Sequence, residues 1–86
     1  MSESDIRRGK RATLLLADPL LVECFDRLDA QIRAAWLATT PGQVAEREAY
    51  FYQTNALAAV RASLEIIAAH GAIAENDRDE ASPKQE

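Results

Sequence analysis

Three short signals in this chain mark where helices begin or end: Asp18-Pro19, Thr40-Pro41-Gly42 and His70-Gly71. In the first two, a side chain that can cap a helix precedes a proline. Proline suits the first helical position because its missing N–H would be unpaired there. Gly71 favours a helix end, since glycine adopts the left-handed conformation at no steric cost. The sequence is therefore predicted to form helices separated at these three points.

The chain has 86 residues, enough for one small domain with a thin core. Alanine, leucine, glutamate and arginine dominate, and only three glycines and three prolines occur, which favours helix over strand. Cys24 is the single cysteine and His70 the single histidine, so neither an internal disulfide nor a Cys/His zinc site is expected. The predicted fold class is all-α, and the options left for stabilising it are helix packing and self-association.

Apolar residues recur at helical spacing in two long segments. Between residues 19 and 38 the recurring positions are Leu21, Phe25, Leu28, Ile32 and Ala35. Between residues 41 and 70 they are Tyr50, Leu57, Val60, Leu64 and Ile67. A shorter helix with a basic first half is expected over about residues 4–17.

The lengths of these helices favour one arrangement. At 1.5 Å per residue they span about 20, 30 and 45 Å, so the two shorter helices together match the long one. We predict a helical hairpin of residues 19–38 and 41–70 with the short N-terminal helix packed at one end. Residues 1–74 are expected to form a single helical domain, and residues 75–86, which lack apolar periodicity, a disordered acidic tail.

Basic residues are concentrated near the N-terminus, although the net charge is −4. Arg7, Arg8, Lys10 and Arg11 form a cluster that offers contact with phosphate or with an acidic protein surface. The alternative interpretation is a solvated helix start that adds solubility. Because the chain is acidic overall, a protein partner or a homo-oligomer is favoured over a nucleic acid.

Four aromatic residues flank the turn at residues 39–42: Trp36, Tyr50, Phe51 and Tyr52. In a hairpin these rings meet at one pole, where most of them are expected to form a small core that closes the two helices. Three consecutive aromatics cannot all face inward, because successive helical residues turn by about 100°. At least one ring is expected to be exposed beside Trp36, as interface anchors are, and we predict a partner interface at these four residues.

No arrangement typical of catalysis appears in the sequence. Glycine-rich phosphate loops, cysteine–histidine pairs and metal-ligand spacings are missing, so no catalytic residue, cofactor, metal or small-molecule substrate is predicted. Cys24 is expected to be a buried, unreactive thiol, and His70 to lie at the carbonyl end of its helix. Arg47 interrupts an acidic helix start and is expected to pair across to the second helix. The apolar run Leu14–Ala17 is too short to span a bilayer, and no membrane partner is predicted.

The order of several motifs gives a resemblance. They are Arg7-Arg8-Gly9-Lys10-Arg11, the segment Leu15–Leu21, Phe25, Trp36, Thr40-Pro41, Arg47-Glu48, the segment Val60–Leu64, and Gly71. Over roughly residues 7–72 the chain resembles short all-helical, mostly uncharacterised proteins encoded among the head and packaging genes of tailed bacteriophages and prophages. The resemblance implies a setting rather than an activity: virion assembly or genome packaging, in the cytoplasm of a bacterial host or in the virion.

Two functions follow as predictions. The first is a small non-enzymatic phage or prophage protein that acts in virion assembly or genome packaging through helix-mediated protein–protein contacts. The alternative is a regulatory binding module, either a DNA-contacting packaging accessory or an inhibitor of a host enzyme, which uses the basic N-terminal cluster. Steep salt dependence of binding would distinguish the DNA-contacting alternative.

Overall fold

A computed structural model describes residues 2–81, which form three α-helices and no strand. They are α1 (Glu3–Ala17), α2 (Pro19–Leu37) and α3 (Val44–Ala81). The predicted all-α class is therefore confirmed. The predicted bounds hold to within one residue for α1 and α2, and they are wrong for α3 at both ends.

The boundary between α1 and α2 is the one that the sequence predicts. One carboxylate oxygen of Asp18 accepts hydrogen bonds from the backbone N–H groups of Leu20 at 2.9 Å and Leu21 at 3.1 Å. Pro19 occupies the first helical position, where it removes no hydrogen bond. At the other end of α1, Ser2 and Asp5 exchange side-chain-to-backbone bonds as a capping box, both at 3.2 Å.

The start of α3 differs from the prediction at Thr40-Pro41-Gly42. These residues lie in the connecting turn, and the helix begins at Val44. The Gln43 side chain accepts from the Thr40 backbone N–H at 2.8 Å, and the Gln43 carbonyl accepts from the Arg47 N–H at 3.0 Å. Gln43 therefore organises the helix start, a role that the residues before Pro41 were predicted to fill.

The end of α3 also differs, because the helix continues through His70 and Gly71 to Ala81. No residue in the described part of the chain has a positive φ, so Gly71 does not act as a left-handed helix end. The predicted disordered tail is not confirmed, since residues 75–81 are helical. Residues 82–86 lie outside the described residues, and the predicted domain boundary at residue 74 falls inside α3.

Both α1 and α2 run antiparallel to α3. Glu3 of α1 lies beside Arg78, and Phe25 of α2 lies beside Arg61. The closer packing is between α1 and α3, where Ile6, Ala12 and Ala74 are buried. The predicted hairpin with the first helix at one end is not confirmed in that form, because α2 lies more loosely on α3 than α1 does.

The tight end of the molecule depends on two glycines that face each other. A methyl carbon built on Gly71 would lie 2.5 Å from the Gly9 Cα and 2.9 Å from the carbonyl oxygen of Asp5. Backbones approach this closely only where neither residue has a side chain. Gly71 therefore permits a close helix crossing inside α3 and does not end the helix.

Candidate protein-interaction surface

An apolar groove of about 550 Å³ lies between α2 and the first part of α3. Leu28, Ile32 and Ala35 line it from α2, and Leu57 and Val60 line it from α3. These residues belong to the two apolar stripes of the sequence, which were predicted to pack on each other. Here the stripes face each other but do not close, because α2 stands off from α3.

The open groove leaves residues of both stripes in contact with solvent. Val60 is 54% exposed, Leu28 is also exposed, and Ile32, Ala35 and Leu57 are only half-buried. Phe25 is the one residue of the α2 stripe that is buried. Apolar area exposed in a continuous concave surface is typical of a binding site, whereas single exposed apolar residues are ordinary.

The predicted aromatic interface lies at a second groove, of about 470 Å³, next to the first. Trp36, Tyr50 and Phe51 all line this second groove, and Tyr50 lines the first groove as well. Trp36 is 40% exposed and Phe51 is 60% exposed, so the rings do not form the closed core that most of them were expected to form. Tyr52 is 65% exposed and touches Phe51 edge-on, with the ring centroids 5.7 Å apart.

Two arginines of α3 reach across to aromatic rings of α2. The Arg47 guanidinium lies 4.4 Å from the centroid of the Trp36 ring and donates a hydrogen bond to the Thr39 hydroxyl at 3.0 Å. The expected pairing of Arg47 across to the second helix is therefore confirmed. Arg61 repeats the arrangement, 4.7 Å from the Phe25 ring centroid and 3.4 Å from a carboxylate oxygen of Asp29. These contacts join α2 to α3 at positions on either side of the groove.

Arg61 is a residue that sequence reasoning missed. It interrupts the apolar part of α3, and its spacing alone does not show which ring it covers. A charged residue beside an apolar stripe is the available signal, because an arginine there can place its guanidinium over an aromatic ring and still reach a carboxylate.

The basic cluster lies on the surface of α1, with Arg7, Arg8, Lys10 and Arg11 all exposed. It is partly balanced by the end of α3: the Lys10 amine lies 3.1 Å from a carboxylate oxygen of Glu75. Arg78 lies 3.2 Å from Glu3 nearby, and this hydrogen bond raises the pKa of Arg78 above its ordinary value. Lys10 of the basic cluster therefore lies against the acidic last part of α3.

The remaining chemical candidates are not brought together. Cys24 is exposed, so the prediction of a buried thiol is wrong. Cys24 directly precedes the buried Phe25 in α2, and successive helical residues point to different faces. His70 is exposed and lies inside α3, not at its end. Within residues 2–81 no three His, Cys, Asp or Glu side chains are grouped so that they would hold a metal ion.

The helix α3 contains a strongly apolar stretch. Over Val44–Glu80 it is long and apolar enough to cross a membrane by length and composition, which is weak support for a membrane location. Arg61 and Glu65 interrupt its most apolar part. The predicted absence of a membrane partner therefore stays a prediction.

A scan against protein-family models gives no match to this chain, and searches of curated proteins and of solved structures give none either. The resemblance to phage and prophage proteins, and the setting that it implies, therefore stay predictions.

Proposed function

We propose that this chain is a small non-enzymatic protein that acts by binding other protein chains during virion assembly or genome packaging of a bacteriophage or prophage. The single observation that carries the proposal is the exposed aromatic groove of Trp36, Tyr50 and Phe51 beside an open apolar groove. Tryptophan and tyrosine are enriched among residues that dominate binding energy. The setting is supported by the order of sequence motifs, and it places the protein in the host cytoplasm or in the virion.

In this proposal the aromatic groove receives another protein. A partner side chain inserted between Trp36 and Phe51 would remove both rings from water, at roughly 25 cal/mol for each Å² of apolar area buried. Arg33 and Asp29 also line this groove and would form its polar rim. A rim that carries both charges suits a partner with mixed surface charge better than a polyanion.

A cross-linking experiment tests the proposal. A photoreactive residue at position 51 is compared with the same residue at position 66, because Phe51 and Ile66 are both exposed on α3 and Ile66 does not line the groove. In cells that produce the particles, position 51 should give discrete adducts with a different chain from the head or packaging machinery. Adducts at position 51 no stronger than those at position 66, or adducts only with copies of this chain, would overturn the proposed function.

Contact with a nucleic acid through Arg7, Arg8, Lys10 and Arg11 is the second candidate. The exposure of all four side chains on α1 favours it. We rank it lower because Lys10 is paired with Glu75 and the chain has a net charge of −4. If this candidate is correct, replacing the four residues with alanine abolishes DNA binding, and binding by the unaltered protein weakens steeply as salt rises.

A further inference from the structure

We propose that the apolar groove between α2 and α3 is closed by the same groove of a second copy of this chain, so that a symmetric dimer encloses both linings. This inference goes beyond the proposed function, because it names the occupant of a second, adjoining groove. It uses the groove of Leu28 and Val60, whereas the proposed function uses the adjoining aromatic groove.

The elongated shape of the chain favours a second copy as the occupant of the groove. Its extents are 70 × 23 × 17 Å and its radius of gyration is 19.0 Å, against roughly 12 Å for a compact domain of this length. Its three helices form a single layer, in which α1 and α2 both lie along α3. Domains usually bury their apolar faces between two packed layers. A second copy supplies the second layer.

The solvent-exposed area of the chain is larger than a compact monomer needs. The chain exposes 6585 Å², whereas roughly 5,000 Å² is expected for a compact monomer of this mass, so about 1,500 Å² is in excess. A stable interface of standard size takes about 800 Å² from each partner. The excess is therefore sufficient for an interface of that size. The groove, with Leu28 and Val60 exposed in its lining, is one of the apolar surfaces that such an interface would cover.

The chemistry of the groove lining suits an identical lining from a second copy. Within residues 2–81 the groove is lined by apolar residues, by Tyr50 and by two glutamines, Gln31 and Gln53, without a charged group. A primary amide carries both donors and acceptors, so glutamines of one copy can pair with those of the other. Two identical uncharged linings do not repel each other, although each chain carries a net charge of −4.

A lipid surface fits the groove less well. Helices that lie in a membrane interface present a convex apolar face with basic residues beside it. This groove is concave and carries two amides, which would lose their hydrogen bonds to water in a lipid surface. Binding of the monomer to a lipid surface would therefore overturn the inference.

The experiment compares two substitutions on α3 that begin from equal exposure. Val60 and Ile66 are both 54% exposed, but only Val60 lines the groove. The native mass of the full chain is measured by sedimentation over a wide range of concentration, with circular dichroism to follow helix content. The unaltered chain and Ile66→Asp should sediment as dimers, and Val60→Asp as a monomer with its helix content retained.

A second pair of variants covers the case in which Val60→Asp fails to fold. Gln53→Glu and Gln53→Leu have nearly the same size as the glutamine. Burial of a carboxylate should raise the dimer dissociation constant at least about tenfold in Gln53→Glu. Gln53→Leu should leave the dissociation constant unchanged or lower it, because the substitution replaces the amide in both copies of the symmetric interface by an apolar group of similar size. General damage to the fold would not separate these two variants in opposite directions.

Several results would overturn the inference. One is a monomer at every concentration, including a monomer that binds vesicles of phosphatidylcholine and phosphatidylglycerol. Others are a Val60→Asp variant that is still dimeric, or an Ile66→Asp variant that dissociates while Val60→Asp does not. None of these results decides the proposed function, because cross-links from position 51 to a different chain do not depend on the dimer.

Discussion

Two glycines determine how closely α1 and α3 approach. Gly9 and Gly71 face each other, and a methyl carbon on Gly9 would lie 2.5 Å from the Gly71 Cα and 3.2 Å from the Ile67 carbonyl oxygen. In an isolated helix each glycine costs about 1 kcal/mol relative to alanine. Here that cost is offset by the close packing that the missing side chains permit.

Gly71→Ala should lower the free energy of unfolding by about 1–3 kcal/mol, because the added methyl group must push two backbones apart. Gly42→Ala is the matched control, since a methyl carbon there has nothing within 4 Å and Gly42 has no positive φ. It should be neutral or stabilising by up to about 1 kcal/mol. Urea unfolding at one fixed protein concentration measures both variants. Equal effects of the two substitutions would contradict the close helix contact.

The role of Gly71 could not be predicted from the residues that surround it in the sequence. Glycine after a helical stripe has two uses, to end a helix or to let another backbone approach. The sequence around Gly71 fits both, and the residue that decides between them is Gly9, which is distant in the chain. The end of α3 was therefore mispredicted, because its cause is a tertiary contact.

At the scale of helices, the break between α1 and α2 was predictable because its causes are local. Asp18 caps α2 through two backbone N–H groups, and Pro19 fixes the first turn. The break at Thr40-Pro41 was placed a few residues too early, since the Gln43 side chain takes the Thr40 N–H. A glutamine in that role has no strong sequence signature, whereas aspartate before proline has one.

Asp18→Ala should lower the free energy of unfolding by about 1 kcal/mol, because two N–H groups at the start of α2 lose their acceptor. Asp26→Ala is the control, since Asp26 is an exposed aspartate inside the same helix and alanine favours helix there. It should be neutral or slightly stabilising. Thermal unfolding followed by circular dichroism compares them. A loss of stability in Asp26→Ala equal to that in Asp18→Ala would contradict the capping role.

The apolar stripes of α2 and α3 are a different case. Their positions were predicted correctly by helical spacing, and residues of both stripes line one groove. Their burial was not predictable, because spacing shows which residues share a face and does not show how far apart two faces lie. Here the two helices are joined by contacts of Arg47 with Trp36 and of Arg61 with Phe25, and the stripe residues between these contacts line an open groove.

At the scale of the whole molecule, packing is uneven along its length. The end formed by α1 and the last part of α3 holds most of the buried apolar residues, namely Ile6, Ala12 and Ala74. The end formed by α2 and the first part of α3 leaves Trp36, Phe51, Tyr52 and Val60 exposed. We therefore assign stability of the monomer to the first end and propose that the second end binds other chains.

The aromatic residues Trp36, Tyr50 and Phe51 were brought together as the sequence predicts, because the turn between α2 and α3 is short. What occupies their groove was not predictable, since the partner's surface is not encoded in this chain. The opposing charges at the N-terminus and near the end of α3 were visible in the sequence, but their pairing through Lys10 and Glu75 required the antiparallel packing of α1 on α3.

The molar mass of the unaltered protein, measured by light scattering on a sizing column at low and at moderate salt, tests self-association through the groove. Scattering is needed because a molecule 70 Å long elutes early whatever its mass. We predict twice the chain mass of 9.5 kDa at both salts, since association through an uncharged apolar groove is little affected by screening. A mass of 9.5 kDa at both salts would contradict self-association through this groove.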